Sequence, residues 1–451
     1  MPLSPTLAAV RFGTGLSPAH AAPQDAGAVL ARLQGTDAMA ARYPQPAWAE
    51  KAAMVRRWAE ARRARNDGSD ASATAYRQIN RQMFRDYHAD LGRIVARGAM
   101  TDDGLRERLQ WFWCDHFTVT DGGGLLRRSV AAYHEEAIRP HLTGRFADLL
   151  QAAVMHPAML IYLDQARSVG PNSPRGRQGA GLNENLAREI LELHTLGVEG
   201  PYGQRDVTQL AELLTGLSVR HDGTPVFRGL FVEPGAEEVL GLSYGGARPD
   251  EGAIRQVLSD LSVHPATARH LCTKLVRHFE SDVPDADMVA AMTRRWIETD
   301  GDLLAVYAVM LDHPAASDRA LRKVRRPLEF IVAGARALGM GADLPEAGNR
   351  IVRDFVLTPL QLMGQRWQRA PGPDGWPEAA EAWITPQTLA ARIEWAMSVA
   401  ASLPEPPDPR AFLETALADL AGPRSRFAAA AAESRAAGVG LILSSPEFQR
   451  R

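Results

Sequence analysis

The sequence predicts a mainly α protein, organised as one large multi-helix domain spanning 1–451 with a small β-hairpin insertion around 218–246. Three observations predict it. Apolar residues recur at helical spacing through most windows of the chain. Aromatic residues, which favour strands, make up only 7%. No shift in composition divides the 451 residues, and a 45% hydrophobic content suffices for a large core.

Taken in order, helical pattern is expected over 25–34, 48–65 and 70–98, all rich in Ala and Arg. Over 104–118, Leu105, Leu109, Phe112 and His116 fall on one helix face. Gly122, Gly123 and Gly124 break the chain, and 127–138 and 145–155 resume the helical pattern. The tripeptide His-Pro-Ala occurs at 156–158, 264–266 and 313–315. Proline fits the first helical position, where its missing N–H has no partner to lose, so all three read as helix starts. The stretch 166–182 is a long loop rich in Gly, Pro and Arg, of a length that is often functional. A helix follows over 183–196, with Asn183 as N-cap and Gly197 as the stop, and another over 205–217. This closes a core motif region, 104–217. Gly, Pro, His and Asp then punctuate short apolar pieces at 225–231 and 238–242, which predicts the hairpin. Helices are expected at 251–262, 265–280, 286–298, 302–312, 326–338 and 346–364. A loop rich in Trp, Pro and Gly spans 366–383, and C-terminal helices fill 384–451, interrupted at 403–409.

Composition also excludes functions. With 51 basic and 53 acidic residues, the charge supplies no excess for nucleic-acid binding. Two cysteines, Cys114 and Cys272, build no disulfide scaffold. No apolar run approaches the length of a membrane span. The first 23 residues lack the basic and apolar regions of a secretory signal, so a cytoplasmic start is expected, with export alongside a partner left open. Lysine occurs only at Lys51, Lys274 and Lys323, and every other basic residue is arginine. Arginine favours bidentate carboxylate pairing, and codon bias in a GC-rich genome accounts for the same usage. Dinucleotide, P-loop, nucleophile-elbow, zincin and Cys-x-x-Cys motifs are absent.

The sharpest chemical feature is the run from Asn183 to Gly197. At 100° per residue, Glu184, Asn185, Arg188, Glu189 and Glu192 share one arc. Leu186, Ile190, Leu191, Leu193 and His194 occupy the other. One reading is an exposed face laced by Glu184–Arg188 and Arg188–Glu192 pairs. The other is a cleft lining: Glu184, Arg188, Glu189 and Glu192 as an acid–base set, or Glu189 and Glu192 with His116 and His194 holding a divalent metal. His116, on an apolar face, also reads as a core histidine. His194, near a helix C-terminus, also reads as a dipole-stabilised imidazolium. Cys114 lacks a second soft ligand nearby, and the basic run at 322–326 reads as a solvated face or, alternatively, as a patch that meets an anion or an acidic partner.

Several blocks together resemble a known bacterial family. They are Arg11-Phe12-Gly13, Phe112-Trp113-x-x-His116-Phe117, His156-Pro-Ala-Met-Leu160-x-Tyr162-Leu-Asp164 and the Gly181–Gly197 run. Asp206-Val207, Leu214-Thr215-Gly216, His264–Ala268, Arg326-Pro327-x-Glu329-Phe330 and Ser445–Phe448 continue the match almost end to end. The chain resembles the family catalogued as domain of unknown function 1800. The resemblance implies a helical fold and no established reaction. Family members commonly carry histidine and asparagine where Cys114 and Asp115 stand, so a two-histidine ligand set at 114 and 116 is not implied here. Members often neighbour an uncharacterised family resembling phosphatase and sulfatase relatives. That association implies a protein partner and a second function class, a non-catalytic binding or assembly protein. Its docking surfaces would be the 166–182 and 366–383 loops.

Overall fold

A computed structural model describes residues 2–67, 69–246 and 250–451. It is mainly α, with two small antiparallel sheets among the described residues. The three His-Pro-Ala tripeptides each start a helix or helical turn. Nδ1 of His156, His264 and His313 accepts the N–H two residues on, at 3.1, 3.1 and 3.3 Å. Each ring thereby satisfies an amide that the helix cannot.

The expected hairpin region holds two hairpins rather than one. Strand β1 (Leu217–Val219) pairs with β2 (Pro225–Phe227), and β3 (Gly235–Val239) pairs with β4 (Leu242–Gly246). The apolar piece at 238–242 is not a strand of its own. It spans the second turn, where Leu240 and Gly241 take positive φ.

The apolar side chains gather into two large clusters. The first includes Leu7, Phe12, Leu109, Trp113, Phe146, Leu191, Leu275 and Tyr307. The second includes Leu91, Val95, Phe330, Trp395, Val439 and Phe448. The helix Gly104–His116 lies between them: Phe112 and Trp113 belong to the first, and Trp111 packs on the second. The long helix Asp70–Met100 and the helix Pro327–Ala337 pack closely in the second cluster. Gly98 permits this approach, because a Cβ there would meet Val332 Cγ1 at 2.6 Å. A satellite cluster of Val55, Trp58 and Met83 ties Trp48–Ala64 to the start of the long helix.

Buried ion pairs join the two clusters. Glu329 accepts from Arg451 Nε at 2.8 Å, lies 3.4 Å from Arg108 Nη2, and accepts the N–H of Arg326 at 3.2 Å. The 322–326 run is therefore not a solvated face. Lys323, Arg325 and Arg326 are only 1%, 3% and 6% exposed, because each reaches an internal acceptor. Lys323 donates to Asp282 at 2.5 Å and to the Glu378 carbonyl at 2.8 Å. Arg325 donates to the Phe448 carbonyl, and Arg326 binds Asp115 at 2.7 Å and Glu378 at 2.7 Å. Such pairs are costly to desolvate and costlier to break. All three lysines make internal contacts: Lys51 binds buried Asp90, and Lys274 donates to His116.

Candidate functional site

The Asn183–Gly197 run forms a short helix, Asn185–Glu189, that widens into a π turn over Ile190–His194. Asn183 Oδ1 accepts the N–H of Asn185 at 2.8 Å, while Glu184 occupies the cap position itself. Gly197 ends the turn with φ +88°. Leu186, Ile190, Leu191 and His194 are buried, and Glu184, Arg188, Glu189 and Glu192 are half-buried.

On the polar side, Arg188 bridges Glu184 (3.3 Å) and Glu192 (3.2 Å). Glu184 also accepts from Thr208 (2.7 Å) and Gln204 (2.9 Å), and these bonds lower its pKa. Burial pushes the Glu189 carboxyl up to about 7, with Glu192 and Asp374 adding to the effect. On the apolar side, His116 and His194 lie with ring centroids 5.9 Å apart. His116 Nδ1 accepts from Lys274 Nζ at 3.0 Å, and its Nε2–H donates to the His194 carbonyl at 3.2 Å. These bonds define one neutral tautomer. Burial, reinforced by Lys274, holds His116 well below the usual histidine range and pulls His194 to about 3. Among the described residues, His194 Nδ1 has no protein hydrogen-bond partner. Among the described residues, no three His, Cys, Asp or Glu side chains converge to hold a metal ion. The structure thus brings His116 to His194 and Arg188 to its two glutamates. It does not assemble Glu189, Glu192, His116 and His194 into one ligand group.

A second feature is absent from the sequence reading. Where the clusters meet, a cleft encloses a cavity of about 120 Å³. Its wall comes from several elements. The helix Gly104–His116 supplies Glu107, Gln110, Trp111, Cys114 and Asp115, and the long helix supplies Ile94 and Arg97. His134 and Glu135 come from a π turn at His134–Ile138, Arg326 and Glu329 from the Pro327–Ala337 helix start, and Trp367, Gln368 and Trp376 from the 366–383 loop. That loop is anchored: Trp376 N–H donates to Asp115 Oδ1 at 2.8 Å, and Gln368 carbonyl accepts from Asp121 at 2.8 Å.

The wall's ionised groups are paired within the protein. Arg97 holds Glu135 at 2.7 and 3.0 Å, Arg139 holds Glu107 at 2.7 Å, and Arg326 holds Asp115 at 2.7 Å. Burial lowers His134 to about 4, so its ring is neutral, and pushes the Cys114 thiol far up, away from nucleophilic thiolate chemistry. What remains unpaired is uncharged or partly used. Gln45 Oε1, both amide atoms of Gln368, and Arg326 Nε are buried without a protein partner among the described residues. Gln368 also has φ +55°, a left-handed conformation unusual for a residue with a Cβ. Strain of this kind persists where the surroundings impose it, and clusters at ligand sites.

No sequence pattern identifies Gln368 or Gln45. Asp115 and Arg326 lie in blocks quoted above, as do His116 and His194, and these distant blocks meet in space through the bonds just given. A family model described as "Protein of unknown function (DUF1800)" matches residues 8–450. The chain belongs to this family. No curated protein and no solved structure matches this DUF1800 chain. Among the described residues, no helix is long and apolar enough to cross a membrane.

Proposed function

We propose that this DUF1800 protein binds a small organic molecule in the cleft between its two apolar clusters. The observation that carries this reading is Gln368, whose backbone is strained while both of its amide atoms face burial without a protein partner. Buried polar atoms are completed by water or by a ligand. A concave, largely apolar wall with a few convergent polar groups at the junction of two cores is the usual setting of a ligand site. The test is a panel of uncharged, cationic and anionic ring fragments, read by tryptophan fluorescence and thermal shift in the wild type and in Gln368→Ala. Binding by the wild type that weakens at least about tenfold in the variant is expected. Absence of any binding, or binding indifferent to the substitution, overturns the reading.

A second reading is favoured by the setting of Glu189, half-buried while Arg188 is engaged by Glu184 and Glu192, a setting that pushes its carboxyl up to about 7. A carboxyl near neutrality suits proton transfer, so the Glu184, Arg188, Glu189 and Glu192 face supports acid–base chemistry on a substrate held at that surface. Substrate turnover abolished by Glu189→Gln, with folding intact, is its test. The metal version is tested by elemental analysis of the wild type beside Glu189→Ala, where equal metal content in both refutes it.

A further inference from the structure

The wall of the cleft also specifies a ligand class, an inference that rests on the binding reading above. Charge comes first. Arg97, Arg326, Glu107, Glu135 and Asp115 each already face an opposite charge. A charged ligand would be desolvated without a free counter-charge to meet it, which is unfavourable. The ligand is therefore uncharged.

Shape comes second. Trp111, Trp367 and Trp376 supply indole surface to the wall. Indoles offer large, flat apolar faces. The cavity, at about 120 Å³, is smaller than the ~150 Å³ that accepts one benzene ring, so it takes no more than part of one ring and the rest of the ligand must lie in the open cleft. That limits the occupant to a single ring, seated across the mouth of the cleft.

Hydrogen bonding comes third. Gln45 Nε2 is used on the Asp90 carbonyl at 3.0 Å, leaving Oε1 in need of a donor. Gln368 needs both a donor and an acceptor. The two amides come from distant segments, so unsatisfied groups are supplied by different parts of the wall. A hydroxyl donates and accepts, and the O and N of one amide match two adjacent hydroxyls. A flat heterocycle presents a fixed pattern along one or two edges instead.

From the paired charges, the indole surfaces and the unpartnered amide atoms of Gln368 and Gln45, we infer that the cleft takes an uncharged, hydroxyl-bearing six-membered ring, a neutral monosaccharide unit. The test titrates the full chain with glucose, galactose, mannose and N-acetylglucosamine, followed by tryptophan fluorescence and calorimetry. Glucuronate and glucosamine serve as charged counterparts, and uracil as a flat uncharged heterocycle. At least one neutral sugar is expected to bind with Kd at or below about 1 mM. It should bind about tenfold or more tightly than its charged counterpart, and lose about tenfold in Gln368→Ala or Gln45→Ala with the helical circular dichroism unchanged. Equal or tighter binding of glucuronate or glucosamine overturns the inference, as does no sugar binding at all. If uracil or another uncharged fragment binds in a Gln368-dependent way while sugars do not, the cleft is a ligand site and the sugar assignment falls. If neither sugars nor fragments bind, both readings fall.

Discussion

Replacing Gln368 by glycine separates stability from binding. Glycine adopts positive φ freely, so the substitution releases left-handed strain of about 1 kcal/mol at the lower end of the usual range. It also removes two buried amide atoms that lack protein partners, a relief of about 1–2 kcal/mol where water reaches them only partly. Against this stand about 0.5–1 kcal/mol of added chain entropy in the unfolded state and about 1 kcal/mol of lost methylene packing. The net is a stabilisation of about 0–1.5 kcal/mol, centred on ~0.8 kcal/mol. For 451 residues, at about 2.1 cal/mol/K of unfolding entropy each, that raises Tm by about 1 °C. Differential scanning calorimetry on the ligand-free protein reads it, with Ala418→Gly as a control. Ala418 has φ +47° and does not line the cleft, so it reports the backbone contribution alone. The same Gln368→Gly protein should bind ligand at least about tenfold more weakly. A drop in Tm below the wild type, or unchanged binding, would refute the reasoning, because Gln368 would then be a structural residue. Stability held below its optimum at a functional position is the expected trade-off.

Three further outcomes follow from the buried and half-buried titratable groups. Glu329→Ala leaves Arg108 and Arg451 buried without their carboxylate and should destabilise by about 3–5 kcal/mol in denaturant titration, whereas a loss below about 1 kcal/mol would show the pairs to be dispensable. The Glu329 carboxyl is held well below the usual range by Arg108 and Arg451 against a large burial effect. Its contribution is therefore present above the unfolded carboxyl value and lost as pH falls through the folded one. His194 and His278 are pulled to about 3, so the unfolded chain binds more protons than the folded one from about pH 6.5 downward. Stability should begin to fall there on acidification, and NMR should find the His194 ring neutral at about pH 5; a ring protonated at that pH contradicts the burial argument. Glu189 acts oppositely: its raised pKa makes the folded state bind more protons between about pH 4.5 and 7, so its charge costs stability above that window. Glu189→Gln should gain stability relative to the wild type as pH rises from about 5 to 8, and parallel curves would place the group in ordinary solvent.

The helices were legible because amphipathic spacing and caps are local. Each His-Pro-Ala bond spans two residues, and Gly197 needs only its own φ, so both can be read from a short window. The carboxylate face was legible in part. The Arg188–Glu192 pair and the buried side of His194 follow from 100° stepping, but the π turn at Ile190–His194 departs from that stepping. Nothing in the Ile-Leu-Glu-Leu-His run signals that insertion. The basic run at 322–326 misled because its acceptors, Asp115, Asp282, Glu378 and the Phe448 carbonyl, lie far away in sequence. The cleft was illegible for the same reason. Its wall draws Gln45, Arg97, Asp115, Glu135, Arg326 and Gln368 from separate segments, and only packing of the two clusters brings them together. The Trp-rich loop stands out in composition, and its anchor on Asp115 could not be read there because the two lie far apart in sequence.

The most direct measurement is a crystal structure of the protein soaked with the tightest-binding compound of the two panels. Difference density is expected in the cleft bounded by Trp111, Trp367 and Trp376, with a polar atom of the ligand within hydrogen-bond distance of the Gln368 amide. Density elsewhere on the molecule, with ordered water alone satisfying Gln368, would contradict the binding reading.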